Sequence, residues 1–265
     1  MRRKNKKRRS LRRRREREEP KLRSLRDLSP EETLVRLPHP VTGELVYYFY
    51  GCLATDFAGV LESRCPPDGQ GKRIDPSRNR EDTRPYSYAF DFMRLGVLLY
   101  GADKVFIIKN DRSKDGHIAD EAVATLNDHG FFEKTGFLWR GDWREEVDPD
   151  THFIRTKHRR EKGKVCIEKR GNILVEDKPD VAQDLPRNTI WLWFGKEAKD
   201  NPKAKAAVRR RRDSGRFHYV RVFDWIQVAA EVFLYYPYWQ KILEGRPEEE
   251  QAEIIYLCRR LQIVV

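Results

Sequence analysis

Two groups of acidic residues beside neighbouring predicted strands carry the sharpest chemical signal in the chain. Asp148-Pro149-Asp150 precedes the predicted strand 152–156, and Glu176-Asp177-Lys178 ends the predicted strand 173–175. A hard divalent cation prefers carboxylate ligands, and it stabilises the charge that develops on a phosphate during cleavage. Carboxylates placed in this way could hold such a cation.

An acid followed by acid-x-Lys on the adjoining strand resembles the arrangement in PD-(D/E)xK nucleases, and the resemblance covers about 30 residues. It implies that Asp150 and Glu176 bind Mg²⁺ and that Lys178 orients or activates the attacking water. The alternative is that Glu176, Asp177 and Lys178 are surface charges in ion pairs, each contributing under about 1 kcal/mol.

Two further acidic patterns give competing hypotheses for a metal. Asp56 and Asp111 each follow a predicted strand, and with Glu121 they could form a two-metal site of the ribonuclease H type. Residues 111–118 resemble the first eight positions of a calcium loop, but the twelfth position, which should be Glu, is Ala122. A polar loop that caps the following helix is the alternative for this second segment.

The positive charge of the chain is concentrated at its N-terminus. Residues 1–26 contain 15 Lys and Arg and 3 Asp and Glu, whereas residues 27–265 contain 39 basic and 39 acidic residues, so the net charge of +12 belongs to the first segment. Because this segment has no apolar face and repels itself, we predict a disordered basic arm over residues 1–28. Such an arm releases counterions from nucleic-acid phosphates.

Two more basic clusters, at residues 155–164 and 203–212, could give the rest of the chain a positive face. The alternative for each is a solvated loop. The residues predicted to contact nucleic acid are Arg2, Arg3, Lys4, Lys6, Lys7, Arg8, Arg9, Arg12, Arg13, Arg14, Arg15, Arg159, Arg160, Arg209, Arg210, Arg211 and Arg212.

Composition excludes several classes of protein. The four cysteines are scattered and form no CxxC pair, which argues against a zinc site and suits a reducing compartment. We find no apolar run of membrane-spanning length and no secretory signal. We therefore expect a cytoplasmic protein, or a nuclear one in a eukaryotic host, with no membrane partner.

The expected fold is α+β, with a mixed sheet, an antiparallel meander, and C-terminal helices packed on the sheet. The meander is predicted from short β-prone runs between turn residues over 137–223, including Val165–Lys169. Residues 29–265 are expected to form one body, with 29–136 and 137–265 as possible subdomains.

Two classes of function remain open. The first is a DNA- or RNA-binding module whose basic arm contacts phosphates. Such a module could belong to a nucleoprotein assembly and also bind protein partners. The second is a nuclease that uses Mg²⁺ and the arm as a substrate tether.

Overall fold

A computed structural model describes residues 30–63, 84–139, 152–158, 161–178, 181, 185, 189–195, 218–233 and 236–265. Helices and strands both occur within these ranges, which confirms the α+β class. The predicted basic arm, residues 1–28, lies outside them. The strands are β1 Leu34–Pro38, β2 Leu45–Phe49, β3 Cys52–Thr55, β4 Glu62–Ser63, β5 Arg84–Pro85, β6 Val105–Asn110, β7 Phe153–Thr156, β8 Gly171–Glu176, β9 Ile190–Phe194 and β10 His218–Val222.

Helices connect and cover these strands. They are α1 Pro30–Thr33, α2 Ala89–Tyr100, α3 His117–Asp128, α4 Phe131–Thr135, α5 Glu161–Glu168, α6 Trp225–Phe233, α7 Trp239–Leu243 and α8 Glu248–Arg260, with a short 3₁₀ turn at Ala102–Lys104. In the described part of the chain, no helix is long and apolar enough to cross a membrane.

A six-stranded sheet organises the fold, and all of its pairings are parallel. Its strand order is β10-β9-β8-β3-β6-β7. The chain therefore builds outward from β3 to β7 on one side, returns to the middle, and then builds outward from β8 to β10. At such a reversal, between β3 and β8, the connections leave in opposite directions and open a crevice at the carboxyl ends of the strands, where open α/β sheets bind ligands.

The antiparallel meander predicted over residues 137–223 is wrong, because β7, β8, β9 and β10 all pair in parallel. Parallel neighbours need a crossover connection, usually a helix. The predicted strand Val165–Lys169 falls instead largely within α5, which connects β7 to β8. The continuous apolar run of β9 is typical of a strand buried on both faces, as parallel strands are.

Two apolar clusters cover the two faces of the sheet. The larger one includes Leu53 and Ile107 and joins the sheet to α2, α6 and α8. The smaller one includes Ala54, Ile108 and Cys166 and joins the other face to α5. Alternate residues of each strand enter opposite clusters, as the pleat requires, so the sheet is sandwiched between two layers.

The C-terminal helices lie on the side of the larger cluster. Helix α6 packs against β10, whereas α8 packs against α2. Arg94 of α2 donates to both carboxylate oxygens of Glu253 of α8, at 2.8 and 2.6 Å. The prediction of C-terminal helices packed on the sheet is therefore confirmed for α6, while α8 forms a further layer over α2.

The six-stranded sheet draws strands from both of the predicted subdomain ranges. Strands β3 and β6 come from residues 29–136, and β7 to β10 come from residues 137–265. The division of the chain into one or two domains stays a prediction.

Candidate metal centre

The centre lies where the two middle strands of the sheet end. Asp56 follows β3 directly, and Glu176 is the last residue of β8. Thr55 pairs with Val175 across these parallel strands, and the Asp56 amide donates to the Val175 carbonyl at 2.8 Å. The register therefore brings the two carboxyl groups to the same point at the carboxyl ends of the strands.

Asp177 completes a group of three carboxyl groups. One oxygen each from Asp56, Glu176 and Asp177 lies within 4.8 Å of the other two. Glu176 is fully buried and Asp56 nearly so, whereas Asp177 is slightly more exposed. Carboxylate oxygens this close together, on residues at the ends of two paired strands, suit a hard divalent cation.

Two tryptophans fix the backbone that carries these carboxyl groups. The Trp191 indole nitrogen donates to the Glu176 carbonyl at 3.2 Å, and that of Trp193 donates to the Asp177 carbonyl at 3.1 Å. Gly59 approaches Asp177 from the β3 side with a φ of +84°, and an added Cβ there would lie 2.9 Å from Asp177 Oδ2. A side chain at position 59 would therefore both strain the turn and displace Asp177.

Lys162 places a buried ammonium group among the carboxylates. It comes from α5, and its Nζ lies 2.7 Å from Asp56 Oδ1 and forms a second ion pair with Glu176. Lys109, at the end of β6, is also buried and contributes positive charge near Asp56. The site thus combines three acidic residues with two buried lysines.

Burial and the neighbouring charges move the pKa values of these groups in different directions. Burial, and after it the charge of Asp56, raises the pKa of Glu176 well above its ordinary value. Burial alone would also raise the pKa of Asp56, but Lys162 and Lys109 outweigh it and the pKa of Asp56 is lowered. For Lys162, burial lowers the pKa, and the carboxylates of Asp56 and Glu176 more than offset this, so the pKa is raised. Glu176 is therefore the acid that retains its proton.

Asp177 is the acid nearest the surface. Its Oδ2 forms an ion pair with Lys178, and its side chain is 11% exposed. Its Oδ1 is buried, and no hydrogen bond to it is found in the described part of the chain. A buried acceptor without a donor costs about 1–3 kcal/mol, and a metal ion bound there would remove that cost.

The three residues predicted for a nuclease, Asp150, Glu176 and Lys178, have different outcomes. Glu176 lies in the centre, as expected of a ligand. The Lys178 amide donates to Glu176 Oε1 at 3.0 Å, while the Lys178 side chain pairs with Asp177. Asp150 lies outside the described residues, so its convergence with the other two stays a prediction. The same holds for every basic residue predicted to contact nucleic acid.

The structure agrees in part with the two other hypotheses for a metal, the ribonuclease H type site and the calcium loop. Asp56 does converge with other acids, but they are Glu176 and Asp177. Asp111 instead stabilises the loop before α3: its Oδ1 accepts from the Ser113 amide at 2.7 Å, and its Oδ2 accepts from the Ala119 amide at 3.0 Å. Arg155 Nε also lies 3.3 Å from Asp111 Oδ2. These contacts favour the helix-capping loop over a calcium site.

Lys162 and Asp177 are the members that sequence reasoning missed. Lys162 was assigned to a basic surface cluster because residues 161–168 were not recognised as a helix. With helical spacing, Lys162 falls on the same face as Val165 and Cys166, which are both buried. A lysine on the apolar face of a helix would have indicated a buried carboxylate partner.

No family model, no curated protein and no solved structure matches this chain.

Proposed function

We propose that the protein is a metal-dependent hydrolase of phosphate esters, with nucleic acid as its substrate. The observation that carries the proposal is the set of three carboxylate oxygens, from Asp56, Glu176 and Asp177, within 4.8 Å of one another beside Lys162. This set lies at the reversal point of the parallel sheet, where ligands bind in sheets of this kind.

The charge balance of the centre favours a cation together with a phosphate. With Glu176 protonated, Lys162 and Lys109 balance the charges of Asp56 and Asp177. A divalent cation that displaces the Glu176 proton would therefore make the centre positive and attract a phosphate. A bound Mg²⁺ would then polarise the phosphoryl oxygens and lower the pKa of a bound water. Lys162 would contribute a fixed positive charge close to the transferring group, in a site that excludes most water.

The raised pKa of Glu176 supports this proposal. A metal ion binds the deprotonated carboxylate, and the pKa of Glu176 is raised well above its ordinary value in the metal-free protein. Mg²⁺ would therefore displace a proton from Glu176. Perturbed carboxyl groups in a crevice are typical of functional sites, although structural ion pairs also produce them.

The choice of nucleic acid as substrate rests on the charge distribution. Residues 1–26 carry a net charge of +12 and the remainder of the chain carries none. Segments of this kind bind phosphate backbones largely without regard to sequence. We propose that the arm and the basic residues at 159–160 and 209–212 hold DNA or RNA near the centre. The scattered cysteines fit a reducing compartment, cytoplasmic or nuclear.

Hydrolysis of a diester, bis(p-nitrophenyl) phosphate, and a monoester, p-nitrophenyl phosphate, tests the activity with Mg²⁺ and with Mn²⁺. A labelled single-stranded oligonucleotide provides the third substrate. Asp56→Asn and Asp177→Asn should each lower the rate by at least about 100-fold. Asp103→Asn is the matched control, because Asp103 lies at the opposite edge of the sheet in a surface pair with Lys104. If none of the three substrates is cut with either metal, the proposal is wrong.

A second candidate is a binding module without activity, in a nucleoprotein assembly. The observation that favours it is again the charge of residues 1–26, which needs no catalytic centre to act on nucleic acid. In that case Asp56, Lys162 and Glu176 form a structural ion-pair network. Binding and cleavage assays distinguish the two candidates. A binding module has the same affinity for nucleic acid in the wild type and in Asp56→Asn, and neither protein cuts it.

A further inference from the structure

Arg221 lies at the carboxyl end of β10 between two aromatic rings. Its guanidinium carbon is 5.2 Å from the ring centre of Trp193 and 5.1 Å from that of Phe223. Trp193 is buried and Phe223 is exposed, so the guanidinium lies between the sheet and the surface. Rings at this distance hold a cation in place electrostatically.

The hydrogen-bonding edge of this guanidinium is formed by Nε and Nη2. Nε and Nη2 of Arg221 are buried, and neither has a hydrogen-bond partner among the residues that the structure describes. Two other arginines show what this edge does when an anion is present. Arg94 uses Nε and Nη2 to hold both carboxylate oxygens of Glu253, and Arg260 uses the same two atoms on Asp91.

A buried donor without an acceptor costs free energy, and for a charged group the cost is higher than for a neutral one. The planar fork of a guanidinium matches the paired oxygens of a carboxylate or a phosphate. Arg221 is thus preorganised for an anion that its described surroundings do not supply.

Arg221 is also aligned with the metal centre. Across the parallel strands, Glu176 pairs with Trp193 and Trp193 pairs with Arg221, so the three residues form one row at the carboxyl edge. Two strand spacings separate the Cα atoms of Glu176 and Arg221, about 10 Å. The Trp193 ring bridges the gap, since its nitrogen donates to the Asp177 carbonyl at 3.1 Å and its face meets the guanidinium.

We propose that Arg221 binds a second phosphate group of the substrate whose reacting phosphate lies at the candidate metal centre. This inference rests on the proposed function and extends it: the substrate carries a second phosphate, placed to span the two strand spacings, about 10 Å, between the two sites. The second phosphate belongs either to the backbone of a nucleic-acid strand or to a small bisphosphorylated molecule. Arg221 selects such substrates, and the metal centre does the chemistry.

Binding of two matched small molecules by calorimetry tests the subsite. Hexyl phosphate and hexane-1,6-diol bisphosphate share a six-carbon chain and differ in the second phosphate. With Mg²⁺ present, so that the centre can hold the first phosphate, the wild-type protein should bind the bisphosphate at least tenfold more tightly than hexyl phosphate. Arg221→Gln should remove that preference and leave the affinity for hexyl phosphate unchanged. Arg221→Lys should keep only part of the preference, because an ammonium group cannot bind in the bidentate way.

A second pair of ligands identifies the source of the phosphate. A six-nucleotide single strand is compared with the same strand carrying an uncharged methylphosphonate backbone. If Arg221→Gln weakens binding of the charged strand at least tenfold and leaves binding of the methylphosphonate strand unchanged, the second phosphate comes from nucleic acid. If it removes the bisphosphate preference and leaves binding of the charged strand unchanged, the source is a small molecule.

The experiments can contradict the phosphate subsite at Arg221 and the proposed hydrolase activity independently of each other. Asp56→Asn should abolish hydrolysis and keep the dependence of binding on Arg221. A protein that hydrolyses nothing but shows that dependence overturns the proposed function alone. The subsite is overturned if Arg221→Gln changes binding of neither the bisphosphate nor the charged strand, or weakens all four ligands equally. Thermal melting of the Arg221 variants distinguishes loss of the site from loss of the fold.

Discussion

Lys162 extends from α5 to the end of β3 and places its ammonium nitrogen 2.7 Å from the Oδ1 atom of Asp56. The same nitrogen pairs with Glu176, and all three groups are buried. One cation is thus shared by two carboxyl groups from the two middle strands of the sheet. This relationship makes Lys162 essential to the metal-free protein and determines how the centre responds to pH and to metal.

Replacing Lys162 by Met should destabilise the protein by about 3–5 kcal/mol at pH 7.5 in EDTA, because it leaves buried carboxyl groups without their cation. Urea denaturation measures the change. Lys104→Met, which removes a surface pair with Asp103, should cost under about 1 kcal/mol. The double variant Asp56→Asn/Lys162→Met should recover part of the loss. A cost for Lys162→Met as small as that of the surface control would contradict the shared-cation arrangement.

Glu176 should make the metal-free protein less stable as the pH rises. The pKa of Glu176 is raised well above its ordinary value in the folded state, whereas in the unfolded chain it is near the ordinary value of about 4.3. Between these two pKa values the folded state holds a proton that the unfolded state releases. Raising the pH through this interval therefore favours unfolding.

Glu176→Gln mimics the protonated acid and should flatten this dependence. Free energies of unfolding at pH 5 and pH 8 in EDTA, from urea titrations, measure the difference between the two proteins. Glu133→Gln, at an exposed position of α4, serves as the control and should behave as wild type. Equal pH dependence in wild type and Glu176→Gln would show that Glu176 is not the acid that keeps its proton.

Binding of Mg²⁺ should release close to one proton, since the cation takes the place of the proton on Glu176. The affinity should then rise by about tenfold for each pH unit below the pKa of Glu176. Calorimetry in buffers with different ionisation enthalpies counts the protons. In Glu176→Gln the proton release should disappear and the affinity should fall. Mg²⁺ binding that is independent of pH would contradict this exchange.

The basic N-terminus should supply most of the affinity for mixed-sequence nucleic acid. Deleting residues 1–26 removes 15 Lys and Arg and the whole net charge of the chain. We expect weaker binding and a flatter dependence on salt, because fewer counterions are released. Fluorescence anisotropy at several salt concentrations measures both. If the truncated protein has the affinity and salt slope of the full chain, the nucleic-acid contacts lie elsewhere.

The sequence predicted the presence of helices and strands, and it named Glu176 and, in a separate hypothesis, Asp56 as candidate metal ligands. It did not predict the parallel sheet, because short apolar runs such as β9 occur in both kinds of sheet and only the crossover helix separates them. Because the sequence pattern did not indicate helix α5, it also placed Lys162 on the surface. Asp56 and Glu176 lie far apart in the chain, and their contact depends on β3 pairing with β8, which no local pattern encodes.

Removing the Lys178 side chain distinguishes the sequence hypothesis from the geometry. The resemblance to PD-(D/E)xK nucleases implies that Lys178 prepares the attacking water, so Lys178→Ala should lower kcat by at least about 100-fold. In the structure the Lys178 ammonium pairs with Asp177, and its side chain is 24% exposed. We therefore expect Lys178 to balance the charge of a metal ligand.

On this view, Lys178→Ala leaves Asp177 with an uncompensated negative charge. Mg²⁺ should then bind about two- to tenfold more tightly, as expected for one unit charge near the surface, and kcat at saturating Mg²⁺ should change by less than about tenfold. Lys164→Ala, which removes an exposed lysine of α5, should change neither quantity. Steady-state hydrolysis of bis(p-nitrophenyl) phosphate over a range of Mg²⁺ concentrations measures both. A collapse of kcat with unchanged Mg²⁺ affinity would instead favour water activation by Lys178.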